Sequence, residues 1–135
     1  GVKLGFSFPA GVQVSELAEK CTESIRPKTS VRGTVCSLSG LENQCNTLLQ
    51  KGMSPEYVCK YCLLCVGETV LKMVKAALQE YHSVPVVFAG GVMSSSVISE
   101  YVRVRLPGVH FVPGKFSSDN AIGAAVLASR EFGSW

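Results

Sequence analysis

Residues 54–81 constrain the fold more than any other stretch of this chain. The run "SPEYVCKYCLLCVGETVLKMVKAALQEY" opens on a serine that can cap a helix, a proline suited to the first helical position, and Glu56 in the first turn. Val58, Cys62, Cys65, Val66, Val70, Met73, Val74 and Leu78 then recur mostly at steps of three and four. This spacing predicts one amphipathic helix over residues 55–81.

Shorter elements flank it. Residues 2–12 read as a loop with Pro9 and Gly11 as breakers, and "VSELAEK", 14–20, as a short helix with Ser15 as its N-cap. "SIRPKTSVRG" is polar and irregular. In "TVCSLSG", 34–40, Cys36 and Leu38 alternate with Ser37 and Ser39, a half-buried strand that Gly40 ends. "LENQCNTLLQKG" is helical, with Gly52 as its C-terminal stop. Beyond the long helix come a strand at 85–89, a helix at 95–105, a strand at 109–112 and a last helix at 119–131. This order predicts an α/β fold with a mixed sheet of about three or more strands, the last two parallel and joined by a crossover helix. With few strands, an edge near Thr34–Leu38 is left open, and open edges invite pairing. A homodimer, or cover from residues 2–12, is the expected answer.

The 135 residues, 47% apolar and 17% charged, suit one globular domain over 1–135. A net charge of +3 is too mild to argue for nucleic acid. No apolar run approaches the roughly 20 residues of a membrane span, so no membrane partner is expected. Gly1 in place of an initiating Met marks the chain as an expected piece of a longer protein. Six cysteines, at 21, 36, 45, 59, 62 and 65, are expected as reduced thiols in the cytoplasm. Cys59, Cys62 and Cys65 have the CxxCxxC spacing of some iron–sulfur proteins, but those ligands sit in loops. Here they fall mid-helix, spread over roughly 120° of its surface, and read as core residues. His82 and His110 share no metal spacing, and neither a nucleophile elbow nor HExxH occurs, so no catalytic residue is assigned.

Three turns carry the candidate chemistry. In "VVFAGGVMSSSVISEYV", 86–102, an apolar strand stops at Gly90-Gly91 and three serines lead into a helix. Ligands of open α/β sheets bind beyond the carboxyl ends of strands, glycines let backbone approach them, and helix N-termini attract anions. The plain alternative is a tight turn with a serine cap. In "FSSDNAIGAAVLA", 116–128, Asp119 is either an N-cap or a ligand to a metal or hydroxyl in the same crevice. Pro9-Ala10-Gly11 precedes a helix in the same way.

In this order, "FPAGVQVSELAEK", "CSLSGLEN", "VVFAGGVMSSSVIS" and "FSSDNAIGAAVLA" resemble the carboxyl-terminal half of the tRNA threonylcarbamoyladenosine transferase family, long labelled O-sialoglycoprotein endopeptidase or glycoprotease. The likeness runs from Leu4 to Ala128. It implies one lobe of an actin-like ATPase (ribonuclease H-like) fold, the second of two related α/β lobes with a nucleotide between them. The implied activity is transfer of a threonylcarbamoyl group from its adenylate to an adenosine of tRNA. The implied cofactors are ATP or the acyl adenylate and a divalent metal, iron or zinc, in the full-length protein, with none bound by this piece alone.

Carried over by position, the family's metal-binding aspartate falls on Asp119 and its adenylate-contacting turns on Pro9–Val12, with Gly11 the matched glycine, and on Gly90-Gly91-Val92. The family's asparagine after that turn falls on Ser95, which with Gly11, Gly90 and Gly91 is expected to position the acyl adenylate; the first glycine of its PGGP turn falls on Ala10, and the lysine after "SGL" on Glu42. Its HxxxH metal motif is absent from this chain. Implied partners are adenine nucleotide, tRNA through the full-length protein, and a smaller paralogue of the same fold. The alternative is a non-catalytic interaction or dimerisation module; a metalloprotease follows only from the old label.

Overall fold

A computed structural model describes residues 1–82 and 84–114. The long helix forms as its sequence predicts. Helix α3 (Pro55–Glu80) runs 26 residues, a rod of about 39 Å. Ser54 is extended and its Oγ accepts from the Tyr57 N–H at 3.2 Å, while Pro55 fills the first turn, where no backbone donor is needed. Because Val58, Cys59, Tyr61, Leu64, Cys65, Thr69 and Leu71 are all buried, α3 is covered on more than one side. Helices α1 (Gly11–Glu19), α2 (Ser39–Gln50) and α4 (Ser96–Arg105) all pack on it. The Thr69 hydroxyl, buried among apolar groups, donates to the Cys65 carbonyl at 2.8 Å, which offsets its desolvation.

One side of α3 meets a short parallel pair. Strands β3 (Val87–Phe88) and β4 (His110–Phe111) lie in register Val87↔His110, with α4 as their crossover, as the strand–helix–strand order predicts. Phe88, Ile98 and Val102 form a buried cluster there, against Leu63, Val66, Val70 and Val74 of α3. The Phe88 and Phe111 rings sit 4.8 Å apart between centroids. Gly67 lets α4 come close: a Cβ at this position would lie 3.2 Å from Cδ1 of Tyr101. The Tyr101 hydroxyl then donates to the Glu68 carboxylate at 2.9 Å.

The first strand departs from expectation. Strand β2 (Val35–Ser37) falls inside 34–38, but its neighbour is β1 (Ser30–Arg32), paired antiparallel in register Val31↔Cys36 around Gly33, whose φ is +59°. Among the described residues the strands therefore make two two-stranded sheets rather than one mixed sheet of three, and β1 rather than residues 2–12 pairs with β2. Strand β1 is not legible in the sequence, because three residues beside Pro27 and Lys28 carry too little alternation to register. The connection before it is tied to α3 instead: Lys60 Nζ donates to the carbonyls of Cys21 and Glu23 at 2.6 and 3.0 Å, and Lys72 Nζ to Thr29 Oγ1 at 2.9 Å. Helix α1 also begins four residues before Ser15, at Gly11, so Ser15 is an interior residue and not the N-cap. Among the described residues no helix is long and apolar enough to cross a membrane.

Candidate functional site

The turn after β3 is built from its own hydroxyl and backbone groups. Gly90 adopts φ +104°, a conformation open to glycine without strain. The Met93 N–H donates to the Gly90 carbonyl at 3.1 Å, and Ser94 Oγ to the Gly91 carbonyl at 2.6 Å. Ser95 occupies the N-cap position of α4 with extended backbone, yet its hydroxyl makes no capping bond. It lies instead 2.8 Å from the Ser15 hydroxyl on α1. One residue on, the Ser96 hydroxyl donates to the Glu19 carboxylate. The plain alternative of an ordinary serine cap at Ser95 is thereby replaced by a seam between two helices.

This seam sets the start of α4 against the middle and the carboxyl-terminal end of α1, through Ser15 and Glu19. Ser15 stands about one turn, or 6 Å of rise, beyond Gly11. Ala10, before Gly11, makes no side-chain cap either, so both helices begin without one. Among the described residues, a Cβ built on Gly11, Gly90 or Gly91 meets nothing within 4 Å beyond its chain neighbours and its own helix. Gly11 and Gly91 thus answer to no packing need among the described residues, and neither has positive φ. The valine after each, Val12 and Val92, is 69% and 60% exposed. Gly114, where the described chain ends, comes against Ser94, its Cβ position 3.3 Å from that of Ser94. Asp119, with Asn120 and Ala121, lies outside the described residues.

Two further family positions are occupied by contacts within the chain. Glu42 pairs with Lys3 at 3.3 Å on the surface, and Ser95 with Ser15. As for a metal, no group of three or more His, Cys, Asp or Glu side chains among the described residues is arranged to hold one. His82 Nδ1 sits 3.1 Å from the Leu78 carbonyl at the end of α3, and His110 is exposed on β4. The described residues therefore do not by themselves fit the expected iron or zinc.

Enclosed space lies elsewhere. A cavity of about 370 Å³ opens between α1 and α4, lined by Glu19, Lys60, Glu100 and Arg105. One of about 330 Å³ runs beside the β1–β2 hairpin. A third, of about 420 Å³, lies between the N-terminal segment, α2 and α3, and its lining includes Cys45, Cys59 and Cys62. None of these three is lined by Gly11, Gly90 or Gly91. All six cysteines are free. Cys59 and Cys65 are buried as core residues should be, but Cys62 is only half-buried and meets Cys45 of α2. The 59–65 spacing is visible in the sequence; nothing there signals that Cys45 joins it from another helix.

No family model matches the chain. Curated proteins do. A "tRNA N6-adenosine threonylcarbamoyltransferase" of one Thermus thermophilus strain is 32% identical over 131 residues, covering 94% of this chain and 40% of that protein. Its counterpart in a second strain of the same species aligns with the same identity and coverage. The protein of that name from a Sulfurihydrogenibium species is 28% identical over 136 residues, again 40% of its length. The chain spans about two-fifths of the length of these relatives. It is a homologue of a fragment, about two-fifths, of these proteins named tRNA N6-adenosine threonylcarbamoyltransferase.

Proposed function

We propose that this chain supplies one wall of the adenylate cleft of a cytoplasmic, threonylcarbamoyl-adenylate-dependent tRNA-modifying transferase. In this proposal it is one lobe of an actin-like ATPase fold, inactive alone because the opposite wall belongs to another part of the protein. The observation that carries it is the 2.8 Å contact between Ser15 and Ser95, which couples the helix after Pro9–Val12 to the helix after Gly90-Gly91. Two helix starts without side-chain caps present backbone donors and the positive ends of two dipoles, which favours a phosphate or an acyl phosphate. Gly11, Gly90 and Gly91 would let that backbone approach the nucleotide, and each has open space where a side chain would stand. Ser95 would position α4 beneath it. The proposal includes Asp119 as one ligand of a divalent metal whose other ligands this chain does not supply; no chemical step is derived through it. Transfer to tRNA would be carried out by the longer protein.

Calorimetric titration with ATP tests the proposal. A longer protein containing this chain should bind, Gly90→Val should lower affinity at least tenfold, and the 135-residue chain alone should bind none at submillimolar nucleotide. Absence of binding to the longer protein at millimolar ATP would sink it.

One observation favours a second reading, a non-catalytic interaction module. Ser95 and Glu42, two positions where the family pattern is broken, are engaged with Ser15 and Lys3 rather than left available. Under that reading the chain would associate with itself or a smaller paralogue, which sedimentation at micromolar concentration would detect, and Gly90→Val would leave that association unchanged.

A further inference from the structure

The thiols gathered at the α2–α3 contact are used by nothing described so far. Cys45 comes from α2, whose half-buried side packs on α3, and Cys59 and Cys62 come from α3; all three line the 420 Å³ cavity. The rest of that lining is mostly apolar, including Leu4, Val14, Leu38, Leu41, Leu49 and Val58. Cys45 and Cys62 face the same cavity from α2 and α3, near enough for each thiol to shift the other's titration. The pair is asymmetric. Hydrogen bonding from Cys45 lowers Cys62 to about 7 against the opposing effect of burial. The same bond, together with burial, pushes Cys45 up. Cys59, nearby, is also raised, chiefly by burial. Cys62 is thus the sulfur that ionises first, and Cys45 the one that keeps its proton.

We propose that Cys45 and Cys62 form a thiol–disulfide exchange pair, with Cys62 the attacking sulfur, Cys45 the resolving sulfur, and a small disulfide such as oxidised glutathione the co-reactant. The Cys62 thiolate attacks one sulfur of oxidised glutathione; a protein–glutathione disulfide forms, and one glutathione leaves as thiolate and takes up a proton. Cys45 then loses its proton to solvent and attacks the Cys62 sulfur, releasing the second glutathione, likewise protonated in water. Two protein thiols are oxidised to one disulfide and one glutathione disulfide is reduced to two thiols. The product ties α2 to α3 at the wall of the cavity that both sulfurs line. This inference does not depend on the proposed adenylate cleft.

The test is to incubate the 135-residue chain with oxidised glutathione, trap remaining thiols by alkylation, and map tryptic peptides without reduction. Residues 33–51 should be joined to residues 61–72 through Cys45 and Cys62, with fragmentation separating Cys45 from Cys36 and Cys62 from Cys65. In Cys45→Ser the glutathione adduct should persist on Cys62. In Cys59→Ser the Cys45–Cys62 link should still form, and circular dichroism should show both variants folded. A second reading uses no oxidant. At pH 7 about half of Cys62 is thiolate against a few per cent of an ordinary thiol, but its lower basicity weakens each thiolate. Net alkylation should be about threefold faster than an ordinary thiol's, rising with pH around a midpoint near 7. In Cys45→Ala, which removes the donor, the midpoint should move up towards the ordinary range. Links dominated by another cysteine pair, or a Cys62 midpoint indifferent to Cys45→Ala, would overturn the proposal.

Discussion

Helix α4 is held in two unlike ways. Its inner face meets α3 by packing: Ile98 and Val102 are fully buried, and Tyr101 lies over Gly67 so closely that a Cβ there would stand 3.2 Å from its ring. Its amino-terminal end meets α1 by hydroxyls, Ser95 to Ser15 and Ser96 to Glu19. The glycines of the two regions differ accordingly. Gly67 is explained by what touches it. Among the described residues, Gly91 and Gly11 meet nothing beyond their chain neighbours that a side chain would touch, lack positive φ, and precede exposed valines. A glycine demanded by packing belongs to the fold; under the proposed function, Gly11 and Gly91 are instead places where the nucleotide comes close.

Substitutions can break this contrast, beginning with the packed face. Ile98→Ala should cost about 2–5 kcal/mol, since a fully buried side chain leaves a cavity in a small core. Urea denaturation of the 135-residue chain measures it, and a loss below about 1 kcal/mol would mean that α4 is not anchored there. Gly67→Val should cost about 1–3 kcal/mol by overpacking against Tyr101. At the hydroxyl seam, a double-mutant cycle with Ser15→Ala and Ser95→Ala should give a coupling of about 0.5–1.5 kcal/mol. Strict additivity would show that the two turns are not joined. The smallest effect is expected at Gly91→Ala, within about 0.5 kcal/mol of the parent in stability because no neighbour opposes a methyl group. The same change should weaken ATP binding by the longer protein, separating the two kinds of glycine in one experiment.

Much of this is legible in the residues. Ser54-Pro55 and the stripe from Val58 to Leu78 specify α3 to within one residue at its end, because capping, proline placement and periodicity agree. Strand, glycine pair, serines and helix likewise predict β3, its turn and α4, and their parallel partner β4. What is not legible is short or non-local. Strand β1 is three residues long and owes its pairing to Val35–Ser37 rather than to its own pattern. A serine before an apolar run looks like a cap, so the sequence points to Ser15 as the start of α1, whereas that hydroxyl is used on a helix 80 residues away. Cys45 and Cys62 meet only after α2 folds onto α3, so no spacing could reveal them.

The central claim is that the turns at Pro9–Val12 and Gly90–Val92 border one nucleotide. Photoaffinity labelling of the longer protein with azido-ATP tests it most directly. Label should appear on the tryptic peptides 4–20 and 76–103, and excess ATP should compete it away from both together. Label confined to peptides 33–51 or 61–72, around the thiol-lined cavity, would contradict the account.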